Sequence, residues 1–488
     1  MNRLTLTAAA LAIMAAASCE NGTSLPPEPF GPVPTTRQLE WQKMEMNMFV
    51  HFGPNTFTGR EWGLGTEAED VFNPTALDCP QWTSIAKAAG FKGIIITGKH
   101  HDGFCLWPNP VCEHTVAKSP WKDGKGDVLK DLSEACAKDG IKFGVYISPW
   151  DRNDPSYGTP EYNEVYVKTL ESALGSYGEV FEQWFDGANG EGPNGKRQDY
   201  DWPLFNGTVR RLQPGAVIFS DIGPDCRWVG NERGSAGRTC WGRLDIEGFT
   251  PGAGAPCRDT LNQGNALGAE WIPAETDVSI RPGWFWRESE NDKVKSVDEL
   301  LRIYYESVGR NSLLLLNIPP DTTGRFNAVD SLRLMEFRSA LDRIFKDNLA
   351  AGAKVEASAT RGRSFKPANI LNDEYDSFWA APDDVTEASV TISLKGEKTF
   401  NLIQLQEYIP LGQRIKSFTV EALGPDGEWT EIASETTIGY KRIIPISETT
   451  ASKVRLNITS SFASPVLNGF ALYMDTISGQ KDRAAIGI

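Results

Sequence analysis

The chain has 488 residues, more than one ordinary core accommodates, so two or three units, or one large barrel with a smaller module, are expected. Its 15 Trp, 23 Phe and 12 Tyr supply ample apolar surface for a large core. The net charge of −15, from 64 acids against 49 bases, excludes a general basic surface for a polyanion, and no nucleic-acid motif occurs.

The first segment, "MNRLTLTAAALAIMAAASCENGTS", carries Arg3, an apolar run, small residues and then Cys19. This is the pattern of a secretory signal peptide. The tail "AAASC" has the form of a bacterial lipobox, which would make Cys19 the lipidated mature N-terminus; an ordinary signal peptide cleaved near Ser18 is the alternative. No other apolar run reaches the roughly 18–20 residues that span a bilayer. The expectation is an exported protein, in the bacterial periplasm or at the outer-membrane surface, tethered by lipid at Cys19. Residues 20–36, rich in Pro and polar side chains, read as an extended tether.

From residue 37, apolar runs alternate with helical patterns. The runs are 46–53, 91–104, 141–151, 178–187, 216–223, 268–275 and 311–320. Between them "CPQWTSIAKAAG", "DVLKDLSEACAKDG" and "PEYNEVYVKTLESALGSYG" place apolar residues at helical spacing and end in Gly. Apolar strands alternating with helices imply parallel strands buried on both faces. Seven or so of them over about 300 residues fit an α/β fold, a (β/α)8-like barrel. A doubly wound sheet is the alternative, but the glycine fingerprint of a dinucleotide site is missing. A helix near 329–348 closes this unit. Short alternating segments then continue to the end, the pattern of an all-β antiparallel sandwich. The expected organisation is 1–19 signal peptide, 20–36 tether, 37–348 barrel, 349–478 sandwich and 479–488 tail.

Seven cysteines follow Cys19, and an odd number leaves at least one free thiol. Cys105 and Cys112 are spaced to close a short loop. No CxxC pattern points to zinc or to a redox motif.

In a parallel barrel the C-terminal strand ends converge on one mouth. The chain has four histidines, and three fall at such ends: His51 after the first run, His100 and His101 after the second. Tyr146 and Asp151 lie at the third, Trp184 and Asp186 at the fourth, and His114 follows in a loop. Singly, each has a plain reading; Asp-Gly is a common turn dipeptide. A His-His pair can also ligate a metal, but adjacent strand residues face opposite ways and no HxH or HExxH pattern occurs, so no metal is expected in the catalytic site. Imidazoles, a phenol and indole faces suit a neutral, hydroxyl-rich ligand such as a sugar. Glycoside hydrolysis needs two carboxyl groups. Asp186 suits the ionised one. The second has five candidates: Asp221, Asp225, Glu232, Asp245 and Glu275. Glu232 is favoured because it sits on the Gly-rich loop "RWVGNERGSAG" near Trp228, where a raised pKa suits a general acid.

The stretches "MFVHFGPNTFTGREWG", "FKGIIITGKHHDGFCLW", "DVLKDLSEACAKDGIKFGVYISPWD", "EQWFDGANG" and "NSLLLLNIPPDTTGRF" resemble the α-L-fucosidases of glycoside hydrolase family 29. The resemblance implies a retaining mechanism with a fucosyl–enzyme intermediate and no required cofactor. It places the nucleophile at Asp186 and the fucose pocket at His51, Glu61, Trp62, His100, His101, Tyr146 and Trp184. "WVGNERG" and "DVSIRPGWFW" resemble the branch selective for α-1,3- and α-1,4-linked fucose, with Glu232 as acid/base and Trp284 as a pocket aromatic ahead of Trp286 and Asp277. "KPANILNDEYDSFWAA" resembles a discoidin-like (F5/8 type C) module, a kind that sometimes binds sugar and often holds calcium near the Asn-Asp turn, here Asn372 or Asp373. The implied partner is a fucosylated glycan. A fucose-binding lectin on the same fold and a metal-dependent hydrolase remain the alternatives.

Overall fold

The computed structural model describes residues 25–478. The signal peptide, Cys19 and the tail 479–488 therefore lie outside the described residues. Among the described residues no helix is long and apolar enough to cross a membrane.

Eight parallel strands close a barrel: β1 (Met46–Val50), β2 (Gly93–Lys99), β3 (Lys142–Ile147), β4 (Glu182–Trp184), β5 (Val217–Ser220), β6 (Cys226–Trp228), β7 (Ala274–Ser279) and β8 (Ser312–Asn317). Residues 93–99 and 46–50 are buried throughout, as expected for strands covered on both faces. The helices form where caps and periodicity agree. Cys79–Ala89 begins at Asp78, whose side chain accepts from Gln81 N at 3.0 Å, and ends at Gly90 with φ +89°. Val128–Asp139 repeats the device with Asp127 and Gly140. The helices pack their apolar sides on the outer face of the strands, while Phe49, Ile95, Tyr146, Trp184, Phe219 and Leu315 fill the interior.

Three expectations change in detail. The barrel has eight strands because residues 226–228 form one that the apolar pattern does not mark, joined to β5 by residues 221–225 with no helix between. The run at 268–275 splits: Glu270–Trp271 pairs antiparallel with Arg243–Leu244 in a separate two-stranded sheet, and only residues 274–275 enter β7, which is buried through Ser279, polar side chains included. The proline-rich segment, from residue 25, is extended but not a free tether. Phe30 N–H donates to Leu411 O at 3.0 Å, Arg243 donates to Phe30 O at 2.8 Å, and the Phe30 ring stacks on Phe462.

The second unit is a seven-stranded antiparallel sheet folded around one core, with Val390, Ile392, Ile403, Leu405, Phe418 and Leu456 inside. Segments expected as separate strands merge into two long ones, Ala388–Glu407 and Arg442–Ser461, which register shifts bend between residues 393 and 398. At the Asn-Asp turn, Asn372 accepts from Glu374 N–H at 3.2 Å and donates to Ser377 Oγ at 2.8 Å. No three His, Cys, Asp or Glu side chains converge there among the described residues. All seven described cysteines are free thiols. The expected Cys105–Cys112 closure is absent: both sulfurs instead lie against Gly103 O, at 3.7 and 3.9 Å.

Candidate active site

The strand ends of β1 to β4 bring His51, His100, His101, Tyr146, Trp184 and Asp186 to one cavity of about 160 Å³ at the barrel mouth. Trp62, Glu232 and Trp284 come from loops to complete it, with Phe49, Ala188 and Asp277. Tyr146 and Trp184 are register partners on β3 and β4, and their rings stack at 5.2 Å. Trp184 stacks in turn on Phe219, its partner on β5, at 4.0 Å.

Asp186 is held by donors. Tyr146 Oη donates to Oδ2 at 2.9 Å, and Ala188 N–H donates to Oδ1 at 2.8 Å, an Asx turn. His101 Nε2 lies 3.6 Å from Oδ2. Burial, reinforced by the Asp186 charge, pushes the Tyr146 hydroxyl well above its usual range, so it remains a proton donor. Burial brings His51 down to about 3 and His101 to about 4, and it lowers His100 strongly, so all three imidazoles are neutral at neutral pH. Asn317 fixes the His51 tautomer. Its amide Nδ2 donates to Ser279 Oγ at 2.9 Å and to Trp284 O at 2.8 Å, so its Oδ1 faces His51 Nδ1 at 2.9 Å as acceptor. His51 Nδ1 therefore carries the proton and Nε2 is left to accept. His100 Nδ1 is buried with no hydrogen-bond partner among the described residues.

Glu232 reaches the cavity from the loop after β6, where its Oε2 accepts from Trp284 Nε1 at 3.2 Å. Burial and the charge of Asp186 raise its pKa, and the Trp284 bond only partly opposes them. The cavity thus pairs a hydrogen-bonded carboxylate with a carboxyl biased toward its protonated form. Neutral imidazoles and aromatic faces surround both.

The model of the family "Alpha-L-fucosidase" matches residues 30–342, and that of the "F5/8 type C domain" matches 354–474. Alpha-L-fucosidase 1 of Arabidopsis thaliana is 42% identical over 476 residues, 96% of this chain and 93% of that protein. The chain belongs to the α-L-fucosidase family. Solved structures agree. A Ruminococcus gnavus GH29 fucosidase in complex with fucose superposes with a TM-score of 0.85 at 33% identity, covering 94% of this chain and 98% of that one. A glycoside hydrolase 29 family member from a rumen bacterium gives 0.82 at 38% identity, covering 93% and 81%.

Of the residues expected in an α-L-fucosidase pocket, Glu61 does not line the cavity. It stands one layer back, where Oε2 accepts Trp284 N–H at 2.9 Å and the other oxygen pairs with Arg287. Trp62 is 58% exposed and packs edge-on against His101 and Trp150, at the rim rather than the floor. The other carboxyl candidates are occupied elsewhere. Asp225 pairs with Arg210 and accepts Ile218 N–H at 2.8 Å. Asp245 accepts Ala269 N–H at the surface at 2.9 Å. Asp221 accepts Gly252 N–H at 2.7 Å beside the cavity. Glu275 is buried in the barrel interior and accepts Trp184 Nε1 at 2.8 Å. His114 pairs with Glu69 at 2.8 Å and Asp151 with Lys99 at 3.0 Å, both outside the cavity lining. Sequence reasoning ranked Asp277 low, yet it lines the cavity and accepts Trp228 Nε1 at 2.9 Å. It missed Phe49 and the orienting Asn317; the strand-end position of Asn317 after "LLLL" was the available signal. Trp286 is not in the lining.

Proposed function

We propose that the chain is a retaining α-L-fucosidase acting on α-1,3- and α-1,4-linked fucose of branched glycans. The observation that carries this reading is that Asp186 and Glu232 line one small cavity, one with two close donors, the other with its proton favoured. Asp186 attacks the anomeric carbon while Glu232 protonates the departing glycosidic oxygen. Glu232 then takes a proton from water, whose oxygen displaces Asp186 and frees fucose. A retaining pair works at a separation of about 5–5.5 Å. The neutral acceptor His51 Nε2 and the neutral His100 ring in the cavity lining suit the hydroxyls of a neutral ring. Phe49 and Trp284 suit the methyl that a 6-deoxy sugar carries. The linkage reading rests on the likeness of "WVGNERG" and "DVSIRPGWFW" to the α-1,3/1,4-selective branch.

The test is release of fucose from α-1,3/1,4-branched trisaccharides against α-1,2-linked ones, with the product anomer followed by proton NMR before mutarotation. The α anomer should appear first and the branched substrates should be preferred. Initial β anomer would overturn retention, equal rates would overturn the linkage, and tight binding without release would mark a lectin. We also propose export as a lipoprotein anchored at Cys19; radiolabelled palmitate should enter the wild type and not Cys19→Ala, and equal labelling would overturn the anchor.

A further inference from the structure

Beneath the cavity the barrel interior holds two carboxyl groups that the proposed reaction does not use. Glu182 lies on β4 and Glu275 on β7, and both are fully buried. Their oxygens and Cys226 Sγ lie within 4.8 Å of one another. Each carboxyl has one oxygen taken by an indole: Trp41 Nε1 donates to Glu182 Oε2 and Trp184 Nε1 to Glu275 Oε1, both at 2.8 Å. Glu275 Oε2 meets no donor group, and Glu182 Oε1 faces Cys226 Sγ at 4.0 Å. Among the described residues no cation offsets the pair. Arg227, next along β6, turns its guanidinium to the carbonyls of Leu261, Ile272 and Trp241. The other ionisable groups acting on the pair are Asp225 and Asp277, both acidic, and the Cys226 thiol, which burial keeps protonated.

Two bare carboxylates in so dry a space, with no cation, are not tolerated. We infer that Glu182 and Glu275 hold one proton between them, in an O–H···O bond, and that this pair positions Trp184 under the cavity. Such a bond joins the two oxygens that no indole takes, Glu275 Oε2 and Glu182 Oε1, the latter facing only the Cys226 thiol. Burial accordingly raises Glu182 to about 7 and raises Glu275 strongly. From Glu275 the link runs through the Trp184 indole to its stacking partner Tyr146, which donates to Asp186. The positioning half rests on the function proposed above; the shared proton does not.

The same three side chains could be asked to hold a cation. Against that, an indole N–H already points at each carboxyl, the thiol keeps its proton, and none of the three is open to solvent.

An amide substitution keeps one oxygen for the indole and offers N–H to the opposite carboxylate, which replaces the shared proton. Glu275→Gln and Glu182→Gln should each fold, with Tm near wild type at pH 6. The double variant sets two amide N–H groups face to face and should lose far more than the sum of the singles. The sign with pH follows from the raised acids. Folding holds a proton the unfolded chain releases near its ordinary pKa, so wild-type Tm should fall as pH rises toward and through 7. Glu275→Gln should flatten that fall. On an aryl fucoside, Glu275→Met should raise KM roughly tenfold with a smaller change in kcat, and Glu275→Gln should restore it. Identical Tm–pH profiles for wild type and Glu275→Gln would overturn the shared proton, as would stoichiometric metal in the purified protein by mass spectrometry. An unchanged KM in Glu275→Met would overturn the positioning. The Tm measurements need no turnover, so they stand or fall apart from the fucosidase reading.

Discussion

At the residue scale the cavity separates the behaviour of its acids by what surrounds them. Asp186 has a phenol and a backbone N–H on its two oxygens. Burial and the acidic neighbour Asp186 bias Glu232 toward the protonated state, and its one long indole bond opposes them only in part. Protonation must persist for leaving-group assistance, so kcat/KM should fall on the alkaline side as Glu232 loses its proton, above the ordinary glutamate value. Glu232→Gln should remove that alkaline limb. It should slow natural glycans by roughly 10²–10⁴-fold, the usual worth of general acid catalysis, while sparing the first step on aryl fucosides with good leaving groups. Asp186→Asn should abolish turnover on both with the fold intact. Steady-state rates on the two substrate classes, with Tm as control, check this; equal losses for Glu232→Gln would remove the acid role, and near-normal rates for Asp186→Asn the nucleophile.

At the element scale, legibility followed polarity and length. β1 and β2 are buried throughout, mostly apolar and long enough to show, so the groups at their ends could be placed. β6 is three residues, Cys226–Trp228, and a link too short for a helix hides it. β7 reads "AETDVS", and no periodicity reveals that Glu275 and Asp277 point into a barrel. Burial of a charged side chain is a property of the closed sheet, so Glu182 looked like any surface glutamate. The "WFDG" stretch shows a subtler gap. Asp-Gly suggests a turn that needs a left-handed glycine, and the turn is present. Yet Gly187 is not left-handed; a Cβ there would stand 2.5 Å from Asp221 Oδ2 and 2.7 Å from Gly252 N. Space decides that position, set by loops after β5 and β6 that are distant in sequence. The long strands 388–407 and 442–461 were divided for a similar reason, since their polar middles look like turns.

At the scale of the whole molecule, the sandwich is joined to the barrel by buried polar bonds that neither could satisfy alone. Asn311, in the left-handed region at φ +60°, donates to Cys240 O at 3.0 Å and accepts Tyr440 N–H at 2.7 Å. Gln413 of the sandwich donates to the same carbonyl at 3.0 Å and accepts Gly242 N–H at 2.7 Å. Cys240 N–H donates to Thr437 Oγ1 at 2.9 Å, and Glu45 of the barrel accepts from Tyr440 and Lys441. Residues 240–242 lie on the same excursion after β6 that carries Glu232, so the sandwich braces the loop of the second carboxyl. Separating the two units would strand several buried backbone groups, each costing about 1–3 kcal/mol. The two units should therefore unfold in one calorimetric transition rather than two. Gln413→Leu leaves Gly242 N–H and one lone pair of Cys240 unmatched. It should lower Tm by several degrees and reduce turnover of natural glycans more than that of activated aryl fucosides, because its effect reaches chemistry through the Glu232 loop. Two resolved transitions in the wild type would show the interface to be weak. Equal losses on both substrates in Gln413→Leu would confine the sandwich to stability and free the Glu232 loop from it.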